Sequence, residues 1–126
     1  MFVNTDLKYI WKNSSYEKWE ESSVHILSHT VHYGTGVLEG VRAYKTDDGP
    51  AIFRLNEHTE RLFSAAEKIG IKIPYLAEEL NEVQKDIFIK NQLDEGNLRQ
   101  IVFLERETLG IRATEYDTYT ARTFTT

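Results

Sequence analysis

Three histidines lie close together in the first third of the chain. His25, His29 and His32 follow the spacing i, i+4 and i+7, which would place them on one face of a helix. Imidazole nitrogens that share a face can bind zinc or a related metal ion. However, residues 24–27 are typical of a short strand, on which the three side chains would splay apart. A small His-based metal-binding protein is therefore kept only as an alternative, and we assign no metal ligands.

A glycine-rich segment follows the histidines. In YGTGVLEG the glycines Gly34, Gly36 and Gly40 predict a tightly bent backbone over residues 34–40. Backbone N–H groups in such a bend can approach a phosphate or another anion. The spacing matches neither of the usual nucleotide-binding fingerprints, and no Lys-Ser or Lys-Thr pair follows. Taken alone, the segment is typical of a turn beside the core.

Two arginines lie where a positive charge could bind an anion. Arg61 falls beside the apolar stripe of a predicted helix, so it either reaches solvent or acts as an inward anion clamp. Arg99 lies within the strand-like run NLRQIVF, where its charge must face solvent or a pocket. Tyr33 borders the glycine segment and is a candidate for the core or for a pocket wall. Glu39 has no carboxylate partner at fixed spacing and no G-x-S-x-G elbow is present, so nothing predicts a hydrolase.

The elements that must position these side chains change from strand to helix and back. Helical spacing predicts one helix after Leu55, capped by Asn56 and stopped by Gly70, and a second helix from Leu76 to Asn91. The buried stripe of the second helix is predicted to be Leu76, Leu80, Val83 and Ile87. The predicted strands are residues 7–12, 16–20, 24–27, 41–45, 51–54, 98–104 and part of 116–126. This order indicates one α+β domain over residues 1–126, with two helices packed on an antiparallel sheet.

Composition and charge exclude several classes of protein. The 126 residues, of which 40% are hydrophobic and 28% charged, suffice for a core without disulfides. The absence of cysteine excludes thiolate metal sites and a cysteine nucleophile, and it fits a reducing compartment. A net charge of −5 without a basic block argues against nucleic acid as a partner. With neither a secretory signal nor an apolar run of about 20 residues, we expect a cytoplasmic protein that contacts no membrane.

Several motifs occur together and in a fixed order. The segment SHTVHYGTGVLEGVRAY precedes FRLNEHTERL, which in turn precedes LRQIVFLERETLGIRA. With the opening YIWKN and the pair Trp19 and Glu20, they resemble the N-terminal part of the branched-chain amino acid aminotransferases, which are class IV, fold-type IV pyridoxal-phosphate enzymes. The likeness extends from about Tyr9 to about Ala113, and the combination of HYGTGVLEGVRAY with EHTERL is specific. The resemblance implies the fold of the small domain of these enzymes.

The resemblance also implies a reaction and a set of site residues. The reaction is amino transfer between leucine, isoleucine or valine and 2-oxoglutarate, with pyridoxal phosphate, held on a lysine, as the electron sink. At the matching positions, Arg61 would bind the cofactor phosphate, for which a planar guanidinium is well suited. Arg99 would help the substrate pocket to admit the acidic substrate. Tyr33, Leu38 and Gly40 would line that pocket. In the family the site lies between two domains and partly across a dimer interface, so we expect a homodimer or another association through the interdomain surface.

The chain departs from the family pattern both in residues and in length. Leu38 stands where an aromatic residue is common, Asn97 where a tyrosine often helps with the substrate carboxylate, and Gln100 where proline is expected. None of the eight lysines stands at the position of the cofactor-bearing lysine. We expect the larger domain of the family, with that lysine and most phosphate donors, to have no counterpart in these 126 residues. We therefore expect a small domain that is inactive alone and has no catalytic residues of its own. It would be a fragment, the product of a truncated reading frame, or a domain that pairs with a separate partner.

A non-catalytic role is the second hypothesis. Tyr16, Trp19 and Phe63 could lie on surfaces that a larger domain covers in the family. Exposed apolar patches of this kind drive association. The chain could therefore act as a binding or assembly module.

Overall fold

Two long helices pack against one face of a six-stranded antiparallel sheet in the computed structural model, which describes residues 8–105 and the backbone of 119–125. The strands are β1 (Tyr9–Lys12), β2 (Ser15–Lys18), β3 (Gly36–Thr46), β4 (Gly49–Ile52), β5 (Gly96–Leu104) and β6 (Tyr119–Thr125). The helices are α1 (His29–Tyr33), α2 (Leu55–Lys68) and α3 (Ala77–Lys90), and Trp19–Glu21 forms a 3₁₀ turn. The strand order is β2-β1-β6-β5-β3-β4. The predicted α+β class is confirmed.

The core lies between the sheet and the inward faces of α2 and α3. Its most deeply buried members are Leu62 on α2, Ile87 on α3, Leu98 on β5 and Ala43 on β3, each 0% exposed. Full burial of a leucine or isoleucine side chain stabilises a fold by about 1.5–3 kcal/mol. These contacts hold both helices on one face of the sheet. Within the described residues, no helix has both the length and the apolar character needed to span a membrane.

The strands predicted at residues 7–12 and 16–20, and those at 41–45 and 51–54, form two hairpins with small changes in their ends. Residues Asn13 and Ser14 join β1 to β2 with φ values of 46° and 71°. Positive φ at both positions is the geometry of a tight two-residue hairpin turn. The turn between β3 and β4 consists of Asp47 and Asp48 alone, because Thr46 and Gly49 already pair with each other. β3 is therefore longer than predicted and carries the site described below.

The end of α2 was predicted correctly and its beginning was not. The helix ends at Lys68, ahead of Gly70, which has φ +76°. At the other end Asn56 is not the cap, because the helix already begins at Leu55 and follows Arg54. The Asn56 side chain instead accepts a hydrogen bond from Asn81 Nδ2 of α3 at 2.9 Å. This side chain ties the two helices together rather than closing one of them.

Leu76 was predicted to belong to the buried stripe of α3, and this is wrong. Leu76 precedes the helix as its N-cap residue and is 66% exposed. The stripe therefore starts one turn later than predicted, and Val83 is only partly buried. The buried residues of α3 are Leu80, Gln84, Ile87 and Phe88.

The segment between the first hairpin and β3 also differs from the prediction. Residues 24–27 form no strand, and they lead through a turn into the short helix α1. Gly34 ends that helix with φ 67° and donates its N–H to Thr30 O at 2.8 Å. The predicted bend is confined to this point, because β3 runs as a strand from Gly36 onward. A Cβ at Gly36 would lie 3.0 Å from Phe103 Cβ, so this glycine permits close strand packing.

An asparagine at the end of α3 anchors the start of the sheet. Asn91 Oδ1 accepts hydrogen bonds from the backbone N–H groups of Lys8 and Tyr9, each at 2.9 Å. Its Nδ2 donates to Tyr9 O at 3.0 Å. Asn91 is 5% exposed, so its side-chain amide is largely removed from water. β1 is thus held against α3, and β6 lies between β1 and β5.

Candidate functional site

A buried carboxylate on β3 connects the sheet to α2. Glu39 is 9% exposed. Its Oε1 accepts a hydrogen bond from His58 Nδ1 at 3.0 Å and another from the backbone N–H of Gly40 at 3.3 Å. Its Oε2 lies 3.5 Å from Arg61 Nε. We call Glu39, His58 and Arg61 the β3–α2 network.

The local sequence explains why these three side chains meet. Side chains alternate between the two faces of a strand, and Glu39 falls in the same row as Val41, which faces the helices. His58 and Arg61 are three residues apart on α2, so they share one face of that helix. A carboxylate removed from water must be paired and hydrogen-bonded, and α2 supplies both partners. The network thus places a charged pair where an apolar residue would otherwise pack.

Arg61 contacts the network through Nε, which lies 3.5 Å from Glu39 Oε2. Its side chain is 71% exposed. The guanidinium group is therefore held only loosely in the described structure, and it can turn to bind an external anion. A planar fork of donors matches the oxygens of a phosphate or a carboxylate. Because the ion pair is exposed at the arginine, it contributes little stability and can be exchanged for another anion.

A cleft of about 540 Å³ lies beside the network. Leu38 and Gly40 on β3 line it together with Arg99 on β5. Gly40 lies directly opposite Arg99 in the strand pairing. Leu38 and Gly40 alternate with Glu39 along β3, so their side-chain positions lie on the other face of the sheet. Leu38 is 58% exposed on that face. His58 also lines the cleft, which connects it to the network.

The surface around Gly40 is open. A Cβ built at Gly40 would have only Leu98 O within 4 Å, at a distance of 4.0 Å. The packing of the described residues therefore does not require glycine here. Arg99, opposite Gly40, is exposed and forms no hydrogen bond or ion pair with the described part of the chain. An exposed apolar side chain, an uncovered glycine and an exposed guanidinium group thus border one cleft.

The structure brings together some of the predicted site residues and not others. Leu38, Gly40 and Arg99 share the cleft, and Arg61 is connected to it through Glu39 and His58. Tyr33 lies apart on α1, 42% exposed, with its ring against that of His29 at a centroid distance of 4.6 Å. Tyr33 is not among the residues that line this cleft.

The three histidines do not form a metal site. His29 and His32 lie on α1, and His25 precedes it, so the strand predicted around His25 is wrong. Each ring bonds locally: His25 Nδ1 accepts from Leu27 N, His29 Nδ1 contacts Thr35 Oγ1 at 2.7 Å, and His32 Nε2 contacts Ile26 O at 2.9 Å. Among residues 8–105, no group of three or more histidine, aspartate or glutamate side chains is placed to hold a metal ion. The metal-binding alternative has no support from the geometry.

Sequence reasoning missed Glu39 and His58. Glu39 was considered only for a carboxylate partner, whereas its partners are a histidine and an arginine. One signal was available: a charged residue alternates with apolar residues in the row of β3 that faces the helices. His58 stands three residues before Arg61, so the helical period alone places both on one face. The contact itself depends on how α2 packs on β3, which the pattern does not contain.

Comparison with known proteins adds a family likeness to this geometry. Residues 36–125 match the family described as amino-transferase class IV. A branched-chain-amino-acid aminotransferase of Pseudomonas aeruginosa is 44% identical over 104 residues, which are 82% of this chain and 34% of that protein. The protein of that name from Escherichia coli is 37% identical over 103 residues, 82% of this chain and 33% of its own length.

Solved structures show the same likeness in three dimensions. The crystal structure of the Escherichia coli branched-chain amino acid aminotransferase superposes with a TM-score of 0.91 at 32% identity, covering 95% of this chain and 40% of that one. The T.th. branched-chain amino acid aminotransferase in complex with N-(5'-phosphopyridoxyl)-L-glutamate superposes with a TM-score of 0.88 at 35% identity, covering 93% and 39%. The chain thus spans about a third of the length of the curated relatives that it matches.

Proposed function

The chain belongs to the class IV amino-transferase family, and from this membership we propose that it forms the small-domain part of a branched-chain amino acid aminotransferase. Its fold is that of the small domain of fold-type IV aminotransferases. The proposed reaction transfers an amino group between leucine, isoleucine or valine and 2-oxoglutarate. The names of the relatives and the chemistry of the cleft support this reaction.

The β3–α2 network fits the phosphate group of the family cofactor, pyridoxal phosphate. Arg61 presents its N–H donors on an exposed guanidinium group that a loose contact of 3.5 Å joins to Glu39. A charge-assisted contact to a phosphate oxygen is about twice as strong as a neutral hydrogen bond. When bound, the cofactor supplies the electron sink that allows a proton to leave the substrate Cα. We therefore assign Arg61 to the cofactor phosphate.

The cleft fits two kinds of substrate side chain. Leu38 offers an exposed apolar surface to leucine, isoleucine or valine. Arg99 offers an exposed guanidinium group, without a partner among the described residues, to the side-chain carboxylate of glutamate or 2-oxoglutarate. Gly40 keeps the strand bare between them, so that either substrate can approach the sheet. The observation that carries the proposal is this combination of apolar and cationic groups around an uncovered glycine. Tyr33, on the neighbouring helix, is proposed to line the same pocket when the rest of the site is assembled.

The cofactor-bearing lysine is proposed to lie outside the described site. No lysine is among the residues that line the cleft, and none contacts the β3–α2 network within the described chain. We expect the purified chain to yield no stoichiometric covalent adduct after treatment with pyridoxal phosphate and borohydride, as measured by intact mass. A single adduct that maps to one lysine and is blocked by substrate would contradict this part of the proposal.

A chimeric enzyme tests the substrate class. The chain replaces the matching segment of the Escherichia coli relative, and turnover of leucine, isoleucine, valine and glutamate is measured. We expect activity with all four amino acids. A chimera that folds and retains pyridoxal phosphate but turns over none of the branched-chain amino acids would refute the proposed substrate class.

We further propose that the protein works in the cytoplasm as a homodimer. The absence of cysteine suits a reducing compartment. Leu38 and Val31 leave apolar surface exposed near the cleft, and such surface favours association. The alternative assembly-module role has support from Trp19, which is 43% exposed, whereas Phe63 packs against the core. Light scattering that shows a monomer over a wide range of concentration would contradict both the dimer and the module.

A further inference from the structure

Gln100 is a buried polar residue that the proposed site does not use. It follows Arg99 on β5 and is 2% exposed. Neither its Oε1 nor its Nε2 has a hydrogen-bond partner in the part of the chain that the structure describes. A buried amide without partners is destabilising, and native proteins almost always satisfy such groups. Its location therefore calls for a partner that becomes available in another arrangement of the site.

The strand pairing places Gln100 beside Glu39. The two residues lie directly opposite each other on β5 and β3. Opposite residues of an antiparallel pair share a face, with Cβ atoms about 4.5–5.5 Å apart. Both side chains are buried, and Glu39 contacts α2 from this face. The Gln100 amide and the Glu39 carboxylate are therefore neighbours on one face of the sheet.

Glu39 retains the capacity to accept this hydrogen bond. Its Oε2 lies 3.5 Å from Arg61 Nε. A good charge-assisted N–H to carboxylate hydrogen bond is about 2.7–2.9 Å long, so this contact is loose. Gln100 Nε2 carries two N–H groups, both without a described partner. A vacant donor and a weakly satisfied acceptor thus face each other across two adjacent strands.

We propose that Gln100 is a positioning residue that takes over the Glu39 carboxylate when Arg61 turns toward a phosphate group. This inference rests on the proposed role of Arg61. When a phosphate draws the exposed guanidinium group away, the buried Glu39 Oε2 loses this partner, while Oε1 keeps His58 and Gly40. A buried carboxylate oxygen left without a hydrogen bond is destabilising. The Gln100 amide then donates to Oε2, so both buried groups are satisfied at once. The network therefore has two arrangements, and the release of Arg61 favours the one in which Gln100 is paired.

A double-mutant cycle on the full chain tests the exchange without any ligand. Arg61→Ala mimics the state in which Arg61 no longer contacts Glu39. Gln100→Met removes the side-chain amide and replaces it with an apolar side chain of similar volume. With Arg61 present, Gln100→Met should leave the thermal midpoint Tm unchanged or raise it, because an unpaired amide is lost. In the Arg61→Ala background the same change should lower Tm by about 4–10 °C, because a hydrogen bond to a buried charge is lost. This reversal of sign is the expected signature.

Two further measurements separate positioning from packing. Val102, two residues along β5 in the same row and 1% exposed, provides the matched control, because Val102→Ala should lower Tm equally in both backgrounds. The side-chain amide resonances of Gln100 should shift in the Arg61→Ala chain, and their hydrogen exchange should slow. Arg61→Met replaces Arg61→Ala if that variant does not fold.

Equal effects of Gln100→Met in both backgrounds, together with unmoved Gln100 amide resonances, would overturn the inference. Because the cycle contains no cofactor, this outcome would leave the proposed contact between Arg61 and phosphate intact. The contact between Arg61 and phosphate is tested separately: it is refuted if Arg61→Ala does not change cofactor retention in the chimeric enzyme.

Discussion

Gly40→Ala separates the requirements of the fold from those of the site. A Cβ at Gly40 would meet only Leu98 O, at 4.0 Å, so no described atom has to move. Glycine in a strand interior is less stable than alanine by about 0.5–1 kcal/mol, because it loses more backbone freedom on folding. We therefore expect Gly40→Ala to raise the free energy of unfolding by up to about 1 kcal/mol, or to leave it unchanged.

Gly36→Ala is the matched control on the same strand and in the same row. Its Cβ would lie 3.0 Å from Phe103 Cβ, 3.1 Å from Val102 O and 3.3 Å from Thr30 Oγ1. Forcing extra volume into a packed site costs about 1–3 kcal/mol. The same gain in backbone entropy offsets part of this cost. The net expectation is a loss of about 0.5–2 kcal/mol in the free energy of unfolding.

Urea unfolding followed by tryptophan fluorescence measures both variants, since Trp11 is 5% exposed in the folded chain. The urea midpoint of Gly36→Ala should fall, and that of Gly40→Ala should rise or stay unchanged. In the chimeric enzyme, Gly40→Ala should lower kcat/KM for leucine and for glutamate by at least about tenfold, because the added methyl group covers the strand between Leu38 and Arg99.

Two results would refute this reasoning. If Gly40→Ala destabilises the chain as much as Gly36→Ala does, the surface beside Arg99 is not open. If the chimera with Gly40→Ala retains full kcat/KM for both substrates, the cleft is not where they bind.

Three further predictions concern single charged groups. In the chimeric enzyme, Arg61→Ala should weaken cofactor binding by several kcal/mol at most, since one charge-assisted contact of several is lost; unchanged retention on dialysis would mean that Arg61 does not contact the phosphate. Arg99→Ala should reduce kcat/KM for glutamate more than for leucine, and equal losses would contradict its role with acidic substrates. The hydrogen bond from the Lys45 ammonium, at 2.7 Å, and its charge lower the pKa of Asp94 below the ordinary value of 3.8. The stabilising contribution of Asp94 is therefore full above that value and is lost as the pH falls through the lowered pKa. Lys45→Met should return the pKa of Asp94, followed by NMR, to its ordinary range, and an unchanged titration would show that the pair does not form in solution.

Regular periodicity made the long elements predictable. α2 and α3 repeat apolar residues at helical spacing over fourteen residues each, and Gly70 marks the end of the first. The helix α1 has only five residues, too few for a period to emerge, so the strand-like composition of residues 24–27 dominated the prediction. Asn56 carries a good capping side chain, but tertiary contact with Asn81 uses it for another purpose.

Sequence reasoning could identify those residues of the candidate site that stand out individually, but not the contacts between residues of different elements. An arginine within a strand pattern singled out Arg99 without any knowledge of the fold. The contact between Glu39 and His58 joins residues nineteen positions apart on two different elements. This contact forms because one row of β3 side chains faces α2. The sequence patterns of β3 and α2 do not indicate which turn of the helix packs over which residue of the strand. The same holds for Gln100, whose neighbour is set by the register of β3 and β5.

The anchoring of β1 by Asn91 has a consequence for the order of folding. β1 and β2 are made before every other described element, yet β1 joins the rest of the sheet only through β6, which is made after all the others. During synthesis the hairpin of β1 and β2 therefore forms before β6 is available to pair with β1. The edge of β1 that later pairs with β6 is open to non-native pairing in that interval. The three hydrogen bonds of Asn91 become available once α3 has formed. They can dock the hairpin at the correct distance from β5 before the strand that fills the gap has left the ribosome.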